Sequence, residues 1–108
     1  MKTGGLKGNL DLVLLAVLSG GPLHGYAVIA GLRDRSECAF DLPEGTVYPA
    51  LHKLERDGLV RSSWDDSGGR RRRTYEITPR GELALACQRE QWLTFVHGVN
   101  SVLAAVTP

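Results

Sequence analysis

Charge of one sign is nearly absent from this chain as an excess: the 13 Lys and Arg residues are offset by 12 Asp and Glu, leaving a formal net charge of +1. That balance excludes a uniformly basic nucleic-acid coat, so any binding to a polyanion must use a local cluster of charge. Cysteine is scarce. Cys38 and Cys87 lie far apart and match no metal spacing, so they read as reduced thiols that simply pack in a cytoplasmic protein. His24, His52 and His97 show no ligand spacing either, and no metal or other cofactor is expected. No Ser or Cys has a His–acid pairing that would make a catalytic site, so the sequence does not read as an enzyme. Long apolar runs are missing. The stretch 10–18 is too short to span a bilayer, and residues 1–8, with two lysines ahead of it, do not make a signal peptide. Membrane association is not expected, and the predicted location is the cytoplasm. There is no internal repeat and no low-complexity segment.

What remains is a 108-residue chain, 43% apolar, which is enough for one globular domain with a modest core. Residues 10–19, LDLVLLAVLS, place Leu10, Val13, Leu14, Val17 and Leu18 on one helical face. Leu12, Leu15 and Ala16 make the other side apolar as well. A helix apolar nearly all round must be covered on both sides, and in so small a domain a second subunit is the expected cover. After the break at Gly20-Gly21-Pro22, residues 24–35 resume helical spacing, with Tyr26, Ile29 and Leu32 inward. A connector follows, with a short strand expected at 39–42.

Residues 44–57 give the clearest amphipathic helix. Val47, Ala50, Leu51 and Leu54 form the buried face; Tyr48, Pro49, His52, Lys53 and Arg56 fall on or near the other. Pro49 lacks an amide donor and suits only a first turn. The helix therefore starts near Thr46, or starts at Glu44 and tolerates a distortion; the sequence leaves both open. Gly58 closes it. Residues 59–64 alternate, with Val60 and Trp64 on one side, and residues 72–77 alternate again, with Tyr75 and Ile77 inward. The turn-rich stretch DDSGGRR joins them into a hairpin, a wing. Thr78-Pro79 is an N-cap followed by proline at the first helical position. The last helix then runs to about residue 105. Leu85, Trp92, Val99 and Val106 recur every seven residues, flanked by Val96 and Leu103 and by Phe95 and Val102. A single small core cannot cover so long a stripe, which reads as a subunit interface of coiled-coil type.

The order is helix, helix, helix, two-stranded hairpin, long helix. The fold class expected is mainly α (α+β): a winged helix-turn-helix over 1–78 with a long C-terminal dimerisation helix over 79–108. In such a fold the second helix of the pair enters the major groove and its side chains read base edges. Thr46, Tyr48, His52 and Lys53 would be presented there. The four consecutive arginines Arg70 to Arg73 beside Gly68-Gly69 form a self-repelling cluster that DNA phosphates would relieve. Because side chains alternate along a strand, at most two or three of them can face one phosphate track. The expected homodimer contacts are Leu10, Leu14, Leu85, Trp92, Val96, Val99 and Leu103.

The segment PEGTVYPALHKLERDGLV (43–60) followed by GGRRRRTYEITPRG (68–81), with LHGY (23–26) and LKGNLDLVLLAVL (6–18), resembles the PadR family of bacterial transcriptional regulators. The single C-terminal helix is similar to its small subfamily. The resemblance implies a dimeric repressor on a palindromic operator, a double-stranded DNA partner, and control of its own or a neighbouring gene. It assigns Tyr48, Pro49, His52 and Lys53 to the recognition helix and Gly69 to Arg72 to the wing. In some small members a tryptophan of the last helix lines a ligand-binding pore at the dimer centre. Trp92 falls at the matching place, which implies a small apolar or aromatic ligand there. The competing reading is a winged helix used only for protein–protein assembly, which the near-neutral net charge fits and the arginine run does not.

Overall fold

The computed structural model describes residue 6 and residues 8–106; most of the 1–8 segment lies outside them. Among the described residues, four α-helices and three strands follow in the order α1 (Leu10–Leu18), β1 (Leu23–His24), α2 (Gly25–Arg35), α3 (Glu44–Arg56), β2 (Val60–Asp65), β3 (Arg72–Ile77) and α4 (Pro79–Ala104), with a short 3-10 turn at Ser67–Gly69. The strands form one antiparallel sheet in the order β1-β3-β2. The hairpin register pairs Val60 with Ile77 and runs outward to Asp65 with Arg72. None of the helices among the described residues is long and apolar enough to cross a membrane.

The core gathers Leu14, Leu15, Leu18, Val28, Leu32, Val47, Leu51, Leu54, Val60 and Tyr75 from α1, α2, α3 and the sheet. On α3 the buried positions are Val47, Leu51 and Leu54, the i, i+4, i+7 face that the sequence predicts. The helix ends as a Schellman motif: the Gly58 amide donates to Glu55 O and the Leu59 amide to Leu54 O, both at 3.0 Å. Gly58, at φ 78°, supplies the left-handed residue this closure needs.

Several expectations are corrected. No strand forms at 39–42; the third strand is instead Leu23–His24, paired to β3 through Leu23 with Tyr75 and His24 with Thr74. Tyr26 points outward, 71% exposed, because Val28 and Leu32 are the residues of α2 that fill the core. Trp64 shares the strand face of Val60 but lies beyond the core's edge and is exposed. Both cysteines are free and exposed rather than packed.

The first turn of α4 is fastened closely to the winged part. Thr78 caps α4, its Oγ1 accepting from the Gly81 amide at 3.0 Å and donating to Gly58 O at 2.8 Å. Gly81 is buried in the first turn of α4, and a Cβ there would overlap the Leu59 carbonyl oxygen and come within 2.7 Å of Ile77 Cγ1. Backbone cannot step aside as a flexible side chain can. Gly81→Ala should therefore destabilise the fold by about 2 kcal/mol, even though alanine is worth about 1 kcal/mol more than glycine in a helix interior. Urea unfolding measures this; an unchanged or raised midpoint would refute the close approach.

Candidate nucleic-acid interface

The start of α3 is settled by its hydrogen bonds. The helix begins at Glu44 with Pro43 as N-cap, and the amides of Thr46 and Val47 donate to Pro43 O at 3.0 and 3.2 Å. Pro49 thus stands inside the helix. Lacking an N–H, it leaves the Gly45 carbonyl without its usual donor. Gly45 and Pro49 are both exposed, so water or a ligand group can satisfy that oxygen.

The helix surface divides into three faces. Opposite the core, Pro49, His52 and Arg56 are exposed, at spacings that put them on one side. Toward the wing lie Tyr48 and Glu55. On the far flank, Lys53 Nζ sits 3.7 Å from Asp57 and 3.8 Å from Asp11 of α1, and Thr46 is half-buried. The structure therefore brings Pro49, His52 and Arg56 together and sets Thr46 and Lys53 to one edge. Such exposed pairs are worth about 1 kcal/mol or less, so Lys53 is only weakly held there. His52 is itself tethered at the sheet side, its Nε2 being 3.4 Å from the Tyr75 hydroxyl. Arg56 makes no ion pair among the described residues; its i+4 spacing from His52 is the sequence signal that marks it as a site residue.

Between α3 and the wing lies a cleft of about 290 Å³ lined by His24, Tyr26, Tyr48 and Arg70 to Arg73. His24 and Tyr26 enter this site from the start of α2. No alternation marks His24, since β1 has only two residues, and helical spacing places Tyr26 inward rather than in this cleft. The Tyr48 ring rests on Gly25, where a Cβ would overlap Tyr48 Cε1 and lie 2.8 Å from its hydroxyl oxygen. Burial, helped by nearby Glu44, pushes the Tyr48 phenol above its ordinary range, so near neutral pH it stays an O–H donor. Gly25→Ala should push this ring out of the cleft and weaken duplex binding about tenfold per half-site, roughly a hundredfold for a dimer on both, with one charge-assisted hydrogen bond lost in each. Fluorescence anisotropy with labelled duplex tests it; undiminished affinity would detach Tyr48 from the interface.

The wing turns at Ser67–Gly69, with Gly68 and Gly69 both at φ 75°. Alternation along β3 then sorts the arginines. Arg71 and Arg73 share a side with Trp64, their guanidinium carbons 4.6 and 5.5 Å from the indole centroid. Arg71 also comes within 4.0 Å of Asp66. Arg73 is half-buried and ion-paired to Glu55 of α3 at 3.4 Å. Arg70 and Arg72 are exposed and have no ion pair among the described residues.

The expected subunit contacts are also sorted. Leu14 is wholly buried in its own protomer and is removed from them. Leu10 and Leu85 are half-buried against the same core. Val96 is half-buried, while Trp92, Val99 and Leu103 stand exposed on α4. Phe95, Val99, Val102 and Leu103 line an apolar cleft of about 490 Å³ with Thr94 and Gly98. Trp92 leans on Phe95, ring centroids 5.9 Å apart. Both line a second cleft, of about 510 Å³, with Asn9, Asp11, Leu12, Gln88 and Gln91.

Residues 14–87 match the family described as "Transcriptional regulator PadR-like family". Among solved structures, a transcriptional regulator from Clostridium thermocellum superposes with a TM-score of 0.82 at 27% identity, covering 90% of this chain and 95% of that one. A PadR family transcriptional regulator from Eggerthella lenta does so with a TM-score of 0.81 at 31% identity, covering 93% and 86%. The transcriptional regulator Rv3488 of Mycobacterium tuberculosis is 42% identical over 57 residues, a stretch that makes up 53% of each chain.

Proposed function

Since this chain belongs to the PadR-like family of transcriptional regulators, we propose that it is a cytoplasmic homodimeric repressor of its own or a neighbouring gene, acting on a palindromic operator. Each protomer inserts α3 into a major groove and lays its wing along the adjacent backbone. The observation that carries this reading is the cleft shared by Tyr48 and the four wing arginines, in a chain whose net charge is only +1. Pro49, His52 and Arg56 meet the base edges, Thr46 and Lys53 flank them, and Gly69 and the arginines follow the phosphates. The winged part, 1–78, binds DNA, and 79–108 holds the dimer together.

Selection of bound sequences from random duplex DNA tests this directly. The expected product is a palindrome whose half-sites lie about one helical turn, or a multiple of it, apart. Failure to retain any duplex at low salt would point instead to a winged helix used for protein assembly.

The Trp92 cleft supports a second element, relief of repression by a small apolar or aromatic ligand. Such a ligand must bind one dimer arrangement better than the other to change the spacing of the two recognition helices. Titrating aromatic compounds against tryptophan fluorescence, with Trp92→Phe as control, checks it. Compounds that release DNA without touching the Trp92 signal would remove the ligand site from this cleft.

A further inference from the structure

The four wing arginines are held in different ways, and Arg73 most firmly. Arg73 Nε donates to Ser62 Oγ at 2.9 Å, and its Nη2 donates to Glu55 Oε1 at 3.4 Å. Ser62 Oγ in turn donates to Glu55 Oε2 at 2.7 Å. Glu55 belongs to α3, Ser62 to β2 and Arg73 to β3, so the three side chains close a ring across the junction of recognition helix and wing. Trp64 covers the ring's outer side by stacking on the Arg73 guanidinium. The Glu55 and Arg73 side chains keep only 30% and 38% of their exposure, so salt screens this pair less than one in open solvent.

Resting on the DNA-binding reading, we propose that Arg73 is a positioning residue that braces the wing against the recognition helix through Glu55 and Ser62, and that the wing's phosphate contacts come from Arg70 and Arg72. Two physical points carry this. An arginine paired to a carboxylate presents no net charge to a phosphate. And a wing tip supported only by a two-stranded hairpin is marginally held on its own, so its angle to α3 depends on a contact beyond the hairpin. Only Glu55 and His52 reach from α3 to the wing strands by hydrogen bonds among the described residues, and His52 does so further in, at Tyr75.

The proposal fixes signs that a simple charge cluster would not. Glu55→Gln removes a negative charge beside the DNA. If Glu55 only repelled phosphates, this variant would bind more tightly; as part of the brace, it binds roughly three- to tenfold more weakly. Arg73→Gln weakens binding by a similar factor and leaves the salt slope at its wild-type value. The double variant is no worse than either single one, because both break the same ring. Arg73→Lys keeps the charge but not the two-pronged geometry, and so behaves like Arg73→Gln. Arg70→Gln and Arg72→Gln each flatten the salt slope by about 0.9 per protomer.

The experiment is anisotropy of the full-length protein with its selected duplex across a salt series, for all six variants. It is paired with amide hydrogen exchange of the DNA-free protein over residues 60–77. Faster exchange in Glu55→Gln and Arg73→Gln supports the brace. An Arg73→Gln slope reduced as much as that of Arg70→Gln, tighter binding by Glu55→Gln, or unchanged exchange in the free protein would each overturn it. Should the wild type bind no duplex, the DNA-binding reading fails, and the exchange arm still decides the brace.

Discussion

Replacing Val99 and Leu103 together with glutamate is expected to leave the protein monomeric and to weaken operator binding by roughly 10²- to 10⁴-fold. The molecule extends 60 × 27 × 20 Å, and the C-terminal half of α4 is what lengthens it. Leu93, Phe95, Val99, Val102, Leu103 and Val106 are all exposed there. Each is worth about 1.5–3 kcal/mol when fully buried, and a contiguous apolar surface of this kind marks a contact site rather than ordinary exposure. Neither substituted side chain belongs to the winged core, so the protomer keeps its fold. The dimer does not, because four carboxylates would have to be buried without partners. Two linked half-sites bind as one only while the protomers are joined, which is the source of the large factor. Sedimentation and anisotropy on the same samples measure both parts. A double variant that remains dimeric would move the interface off α4, and a monomer with undiminished affinity would remove the need for one.

How far the fold was legible depended on how many faces of each segment are apolar. The helix 44–56 has one buried stripe, and its core residues, closing glycine and partner hairpin all follow from spacing. The segment 24–35 is apolar on several faces, and spacing chose Tyr26 where Val28 in fact fills the core. The first helix shows the same weakness from the other side. Its all-round apolar character suggests a partner for Leu14, yet Leu14 is absorbed by the protomer's own core, and the apolar positions of α1 left half-covered are Leu10, Leu12, Val13 and Ala16. Strand β1 carries no alternation because it has two residues; its existence is decided by the free edge of β3, a tertiary fact. Trp64 shows that parity predicts a strand face but not where the core stops along it. The interface was legible as an arginine run and a polar helix face. Which arginines are free was not, since that depends on Glu55 and Ser62 arriving from two other elements.

The near-neutral net charge leads to a second large effect: binding should be steeply salt-dependent even though the chain as a whole is hardly basic. The phosphate field is felt over about 10 Å at moderate ionic strength, so what counts is the charge within that distance of the duplex, not the total. Arg56, Arg70 and Arg72 are the arginines of this face without a carboxylate partner among the described residues. In a dimer they make six; Arg56, at the rim of the helix face, also lies within reach of the backbone and is counted with the wing arginines, so counterion release at about 0.9 per phosphate contact gives a slope of log K against log salt near about −5. Raising salt from about 50 to about 200 mM should then cost roughly a thousandfold in affinity. Replacing Arg70 to Arg73 together with glutamine should lower affinity at about 50 mM salt by a comparable factor. It should also reduce the slope to about −2, the share left to the two copies of Arg56. A net-charge mechanism makes a different prediction: the loss would be the same for any four arginines, including Arg33, Arg35, Arg80 and Arg89, which lie outside the cleft. Equal losses from those two quadruple variants, or a wild-type slope shallower than about −2, would show that the wing does not concentrate the charge that binds DNA.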